Sequence, residues 1–214
     1  MTARRLSPLD QFLVQFDQGI RTLFGKPQVT ERKNPALSTE ENELSPSEKK
    51  LSARLMRINH AGEIAAQALY QGQALTARNE KVKTQMKRSA LEENDHLDWC
   101  HTRLQELDSH TSLANPAWYF GSLIIGAAAG AAGDKWSLGF VVETEKQVQQ
   151  HLQNHLDRLP KADQKSQRIL QQMEQDEAHH ADIAHNAGGA PLPKPIKLLM
   201  KASSKVMTKT AYWV

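Results

Sequence analysis

The stretch ALEENDHLDWC, residues 90–100, places Glu93 and His96 three residues apart on one face of a helix. Projected at 3.6 residues per turn, that face runs Val82, Met86, Ser89 and Ala90, Glu93, His96 and Leu97, Cys100, Leu104 and Leu107. Apart from the Glu–His pair, every residue on the stripe is small or apolar. A carboxylate and an imidazole buried together cost several kcal/mol unless something pairs with them.

The same pattern recurs in QDEAHHAD (175–182), where Glu177 and His180 interrupt the stripe Ile169, Leu170, Met173, Ile183 and Ala184. The helix preceding each pair carries one glutamate on a comparable face. Glu63 lies on the line Met56, Asn59, Ala66, Tyr70, Ala74, and Glu145 on the line Leu138, Val141, Val148, Leu152, Leu159. Glu63 and Glu93 are 30 residues apart, and Glu145 and Glu177 are 32 apart, so the two halves read as repeats of one antiparallel helix pair. Four helices thus deliver Glu63, Glu93, His96, Glu145, Glu177 and His180 to one dry centre. Four carboxylates cannot remain ionised there without cations, and two divalent iron ions carry the four positive charges that balance them. This is the known arrangement of ferritin-like di-iron carboxylate proteins. The predicted fold is therefore all-α, a ferritin-like four-helix bundle whose long crossover runs from about Asp108 to Asp134. Asn59 and Tyr70, on the face of Glu63, and neighbouring His60 are candidates to support the ligands from behind. Glu92 and Glu143 are expected to point away from the centre. His101, His110, His151, His155, His179 and His185 read as solvated or packing residues.

The rest of the chain is organised around that core. Its 214 residues suffice for one sizeable core, so one domain with appendages is expected. Ser7-Pro8 opens an amphipathic N-terminal helix within residues 1–25, with Leu9, Phe12, Leu13, Phe16, Ile20, Leu23 and Phe24 on its apolar stripe. Residues 26–44 have no period and read as a loose linker. Ser45-Pro46-Ser47-Glu48 has capping-box spacing and opens the bundle, residues 45–190, which includes the apolar segment 117–133. A basic helix occupies 191–214. A single cysteine excludes an internal disulfide and fits a reducing compartment. The opening MTARRLSPLD lacks the apolar run of a signal peptide, and no apolar run reaches 18 residues, so a cytoplasmic location without a membrane span is expected. The net charge of +3 is too weak to imply a nucleic-acid partner.

LMRINHAGEIAAQALYQGQALTAR (55–78), EENDHLDWC, GFVVETEKQVQQHL and QMEQDEAHHA resemble the demethoxyubiquinone hydroxylase family of ubiquinone biosynthesis in its bacterial form. The resemblance extends from SPLDQFL near the start to KVMTKTAYWV at the end, and the Asn-His-Ala-Gly-Glu run ending at Glu63 is its most specific part. Carried over position by position, the family's metal ligands fall on the six residues selected by the stripes. The resemblance implies a monooxygenase that holds two iron ions per chain. It would use dioxygen to hydroxylate the ring of a polyprenyl benzoquinol, with other ubiquinone-biosynthesis proteins as candidate partners. No dinucleotide fingerprint is visible, so electrons would come from a partner, a soluble reductant or the quinol itself.

A substrate carried in the bilayer suits two further features. Trp118, Tyr119, Phe120 and Trp136 flank the Gly/Ala-rich segment, and Lys197, Lys201, Lys205 and Lys209 form one edge of the C-terminal helix. Both point to peripheral attachment at the cytoplasmic face of the cell membrane. The competing readings are a di-iron hydroxylase of a modified tRNA base, which has no need of the apolar segment, and a ferritin-type iron-handling protein, which requires shell-forming interfaces not visible in the chain.

Overall fold

Ser7 and Ser45 each stand before a proline and three residues ahead of an acid, and both open helices by reciprocal capping. In the computed structural model, which describes residues 7–40 and 42–214, the Ser7 hydroxyl accepts from the Asp10 amide while the Asp10 carboxylate accepts from the Ser7 amide. Ser45 and Glu48 repeat the exchange. The helices are α1 (Pro8–Phe24), α2 (Pro46–Thr76), α3 (Glu80–Glu106), α4 (Asn115–Ala131), α5 (Asp134–Leu156), α6 (Gln164–Asn186) and α7 (Lys194–Ala211). Among the described residues all regular structure is helical. Residues 1–6 of the expected N-terminal segment lie outside the described residues, as do the side chains of Leu9 and Phe12 on its stripe.

The ferritin-like bundle consists of α2 paired with α3 and α5 paired with α6, the pairs meeting through α3–α6 and α2–α5. One apolar cluster, including Leu55, Met56, Leu104, Leu152, Leu170 and Met173, fills the core on one side of the carboxylates. A second, including Val82, Met86, Leu138, Val141 and Ala184, fills it on the other. Each fully buried Leu or Met contributes about 1.5–3 kcal/mol, so two apolar layers support the polar one between them.

The crossover is itself a helix, α4, and its small residues serve packing. A Cβ at Gly72 would lie 2.3 Å from the Leu123 carbonyl oxygen, and one at Gly126 would lie 2.2 Å from that of Leu69. The glycines therefore let α4 approach α2 backbone to backbone. The opposite face of α4 exposes Phe120, Ile124 and Ile125. Leu13, Phe16, Ile20 and Phe24 are exposed on α1, and Leu198, Leu199 and Val206 on α7. No helix among the described residues is long and apolar enough to cross a membrane.

Two expectations need correction. The described residues of the stretch 26–44 form no helix, but they are not loose: the Thr30 amide and hydroxyl donate to the two Asp95 oxygens at 2.7 and 2.6 Å, and Asn94 Nδ2 donates to the Gln28 carbonyl. It is a docked strap, held by polar side chains that leave no periodic trace in the sequence. The four-lysine edge also loses a member, because Lys197 is paired with Glu143 at 2.7 Å.

Candidate metal centre

Glu63 comes from α2, Glu93 and His96 from α3, Glu145 from α5, and Glu177 and His180 from α6, and all six are buried. They form two overlapping groups: Glu63, Glu93, His96 and Glu177, and Glu93, Glu145, Glu177 and His180. Within each group one ligand atom per residue lies within 4.8 Å of the others. Glu93 and Glu177 belong to both groups.

The imidazoles are aimed by what stands behind them. His96 Nε2 lies 2.8 Å from Asp176 Oδ2, and His180 Nε2 lies 2.7 Å from Glu92 Oε2. An ionised carboxylate only accepts, so each Nε2 carries its proton and each Nδ1 turns toward the glutamates. His96 Nδ1 is 3.2 Å from Glu93 and 3.3 Å from Glu177, and His180 Nδ1 is 3.2 Å from Glu93. The acid immediately before each shared glutamate thus orients the histidine of the opposite helix.

Electrostatics separates the carboxylates into two kinds. Burial, with the Glu93 and Glu177 charges adding to it, pushes Glu63 well above the usual carboxylate range. Burial and the Glu177 charge do the same to Glu145. Burial opposes ionisation of Glu93 and Glu177 as well, but the two nearby imidazoles outweigh it and hold both low. Despite burial, Asp176 with Glu177, Glu63 and Glu93 raises His96 above its ordinary range, and Glu177, Glu92 and Glu93 raise His180.

The donor set fits metal cations. Glu63 Oε2, Glu93 Oε1, Glu177 Oε2 and His180 Nδ1 are buried and make no hydrogen bond among the described residues. Each such orphan costs about 1–3 kcal/mol, and metal ligation removes that penalty. Beside the cluster lies a cavity of about 820 Å³ between α2, α4, α5 and α7. Its wall includes Glu63, Gly62, Ala66 and Leu69 from α2, Ile125 from α4 and Leu199 from α7. Ile125 and Leu199 are also exposed, so the cavity leads from Glu63 to the apolar surface between α4 and α7.

A family profile described as "Ubiquinone biosynthesis protein COQ7" matches residues 50–211. The chain belongs to this family. A 3-demethoxyubiquinol 3-hydroxylase of Nitrosococcus oceani is 58% identical over the whole of both chains. Proteins of the same name from Nitrosomonas eutropha and Acinetobacter baylyi are 54% and 53% identical, covering 96% and 99% of this chain and 99% and 100% of their own.

Against that COQ7 background, the structure brings the six sequence-predicted residues into the two groups. Of the three supporting candidates only Tyr70 bonds a member of the cluster, its hydroxyl donating to Glu145. Asn59 instead accepts from His155 Nδ1 at 2.7 Å, and His60 faces Asn115 and the His101 ring. Glu143 points away, toward Lys197, as expected. Glu92 does not: it was expected to point elsewhere, yet it bonds His180. Asp176 and Arg32 were not singled out either. A signal for the two acids was present, because both Glu-x-x-His runs are preceded by an acid, Glu92 in one and Asp176 in the other.

Proposed function

We propose that this chain is a di-iron monooxygenase that hydroxylates the ring of a polyprenyl demethoxyubiquinol in ubiquinone biosynthesis. The observation that carries the reading is the cavity joining the paired carboxylate–histidine groups to an exposed apolar surface. Membership of the COQ7 family and the activity named for its relatives supply the substrate and reaction. In this reading Glu63, Glu93, His96 and Glu177 would hold one iron, and Glu93, Glu145, Glu177 and His180 would hold the other. When bound, the iron pair would supply the redox chemistry that puts one dioxygen atom on the ring and reduces the other to water, with two electrons drawn from a partner, a soluble reductant or the quinol.

The chain's own residues do the rest. Asp176 and Glu92 keep the Nε2 protons in place, leaving the Nδ1 atoms for the metal, and the Tyr70 hydroxyl fixes one oxygen of Glu145. The apolar wall excludes water from a ring lying beside Glu63. Gly62 keeps that approach open, since a Cβ there would meet nothing within 4 Å. The exposed apolar residues of α1, α4 and α7, with Lys201, Lys205 and Lys209, support peripheral docking on the cytoplasmic face of the cell membrane, which would deliver the long isoprenoid tail to the cavity.

The test is metal analysis of the chain loaded anaerobically with ferrous iron, together with turnover of a short-tailed demethoxyubiquinol under labelled dioxygen. About two irons per chain are expected, with the label in the ring hydroxyl. A chain that binds no iron, or a product carrying oxygen from water, overturns the reading.

A further inference from the structure

The two histidines of the centre are supported symmetrically as far as the acid behind them, and there the symmetry ends. Glu92, behind His180, is met by Arg88, one turn earlier on the same helix and well exposed, at 2.7 Å. Asp176, behind His96, is met by Arg32, which comes from the strap and not from the bundle. Arg32 uses all three guanidinium nitrogens at once. Nη1 donates to Asp176 Oδ2 at 2.7 Å, Nε to Asp95 Oδ2 at 2.7 Å, and Nη2 to the Glu92 carbonyl oxygen at 3.3 Å. The guanidinium carbon sits 5.2 Å from the centre of the Trp99 ring. Trp99 in turn packs against His96, the ring centroids 5.4 Å apart. The strap carrying Arg32 is locked through Thr30 onto Asp95, whose side chain is fully buried.

We propose that Arg32 is a positioning residue for the metal position held by His96, acting through Asp176. This rests on the proposed di-iron reading of the centre. The same Asp176 Oδ2 atom accepts from both Arg32 and His96, so the guanidinium fixes where that oxygen stands and thereby where His96 Nδ1 points. Gln172 Nε2 holds the other oxygen, Asp176 Oδ1, at 3.0 Å, so rotation of the carboxylate is limited from both sides. A planar fork spanning α3, α6 and the strap cannot be replaced by a single ammonium group. Arg32 precedes the residues that match the family, so one metal position is finished from outside the matched segment. Arg88, exposed and on the same helix as its acid, supplies no comparable clamp.

The test is anaerobic titration with cobalt(II), followed by its visible absorption and by calorimetry, on the full chain and on Arg32→Met, Arg88→Met, Asp176→Asn and the Arg32→Met/Asp176→Asn double variant. Circular dichroism and thermal midpoint of each establish that it is folded. In the wild-type chain two cobalt ions bind. Arg32→Met should weaken one of them by roughly 10- to 100-fold, the size typical of lost outer support for a ligand, and leave the other unchanged. Arg88→Met should bind both as wild type does. The double variant should be no weaker than Asp176→Asn alone, because the two residues act in series. Equal weakening of both ions, wild-type binding by Arg32→Met, or additive losses in the double variant would each overturn the proposal. A wild-type chain that binds no cobalt would instead overturn the metal reading on which it rests.

Discussion

Register decides which acid does what at the scale of single residues. Glu145 and Glu143 are two positions apart on α5, yet one is buried in the cluster and the other is paired with Lys197 near the surface. Glu145→Gln and Glu177→Ala are expected to abolish hydroxylation, each removing a carboxylate of the proposed metal cluster. Glu143→Gln and His179→Ala, the latter an exposed residue beside His180, should retain most of the wild-type kcat. A dead Glu143→Gln variant with an active Glu145→Gln would place the site on the other face of α5. The six cluster residues were legible in the sequence because burial forces polar residues on an apolar stripe to have a reason. Glu92 and Asp176 were missed for the converse reason. One position before a stripe residue lies about 100° round the helix, a direction that reads as solvent until the neighbouring helix is known. Only the repeat, acid-Glu-x-x-His in both halves, carried the hint.

Helix beginnings were legible at the scale of elements, since Ser-Pro with an acid three residues on is a local signal satisfied by local hydrogen bonds. The strap was not, because its stability comes from contacts to Asp95 and Asp176 that are distant in sequence and impose no spacing on residues 26–44. The Gly/Ala-rich segment was half legible. Its composition suits both an apolar surface and close packing, and α4 does both, one on each face. Gly126→Val should therefore be strongly destabilising: its side chain would drive into the Leu69 backbone, which cannot yield as a flexible side chain would. A cost of about 1–3 kcal/mol or more follows from overpacking of this kind. Gly121→Ala, on the same helix but with nothing within 4 Å of the added Cβ, should be neutral or stabilising by about 0.5–1 kcal/mol. Thermal midpoints of the two variants compare them directly. Equal midpoints would mean that α4 does not depend on close approach to α2.

Buried ionisable groups and exposed apolar ones set the chain's behaviour at the scale of the whole molecule. His60 is pushed down to about 3 by burial and the neighbouring His101, and His155 to about 3 by burial, His151 and Arg158. An imidazole in an unfolded chain titrates near 6.5, so between about 6.5 and about 3 the unfolded chain binds protons that the folded one refuses. Stability tied to these two groups is therefore intact above about pH 6.5 and is lost as the pH falls toward about 3. In metal-free protein, the His60→Gln/His155→Gln variant should lose less of its thermal midpoint between pH 7 and pH 5 than the wild type. An identical loss would put the acid sensitivity elsewhere. The exposed surface makes a separate claim. Leu198 and Leu199 on α7 and Ile124 on α4 face solvent near the cavity mouth, and Lys201, Lys205 and Lys209 carry no ion pair among the described residues. Each basic side chain near an anionic bilayer contributes about 1 kcal/mol, so changing these three lysines to Gln together should weaken binding to anionic vesicles by up to about 100-fold at low salt. Ile124→Asp with Leu199→Asp should reduce binding further, and on uncharged vesicles as well, where the lysines have no part. Turnover of a short-tailed, water-soluble quinol should survive the lysine changes, since they act on delivery and not on the carboxylate cluster. Flotation with vesicles of both compositions, run beside that turnover, separates the two roles. Unaltered flotation removes the docking surface, and loss of soluble turnover moves the lysines to the site.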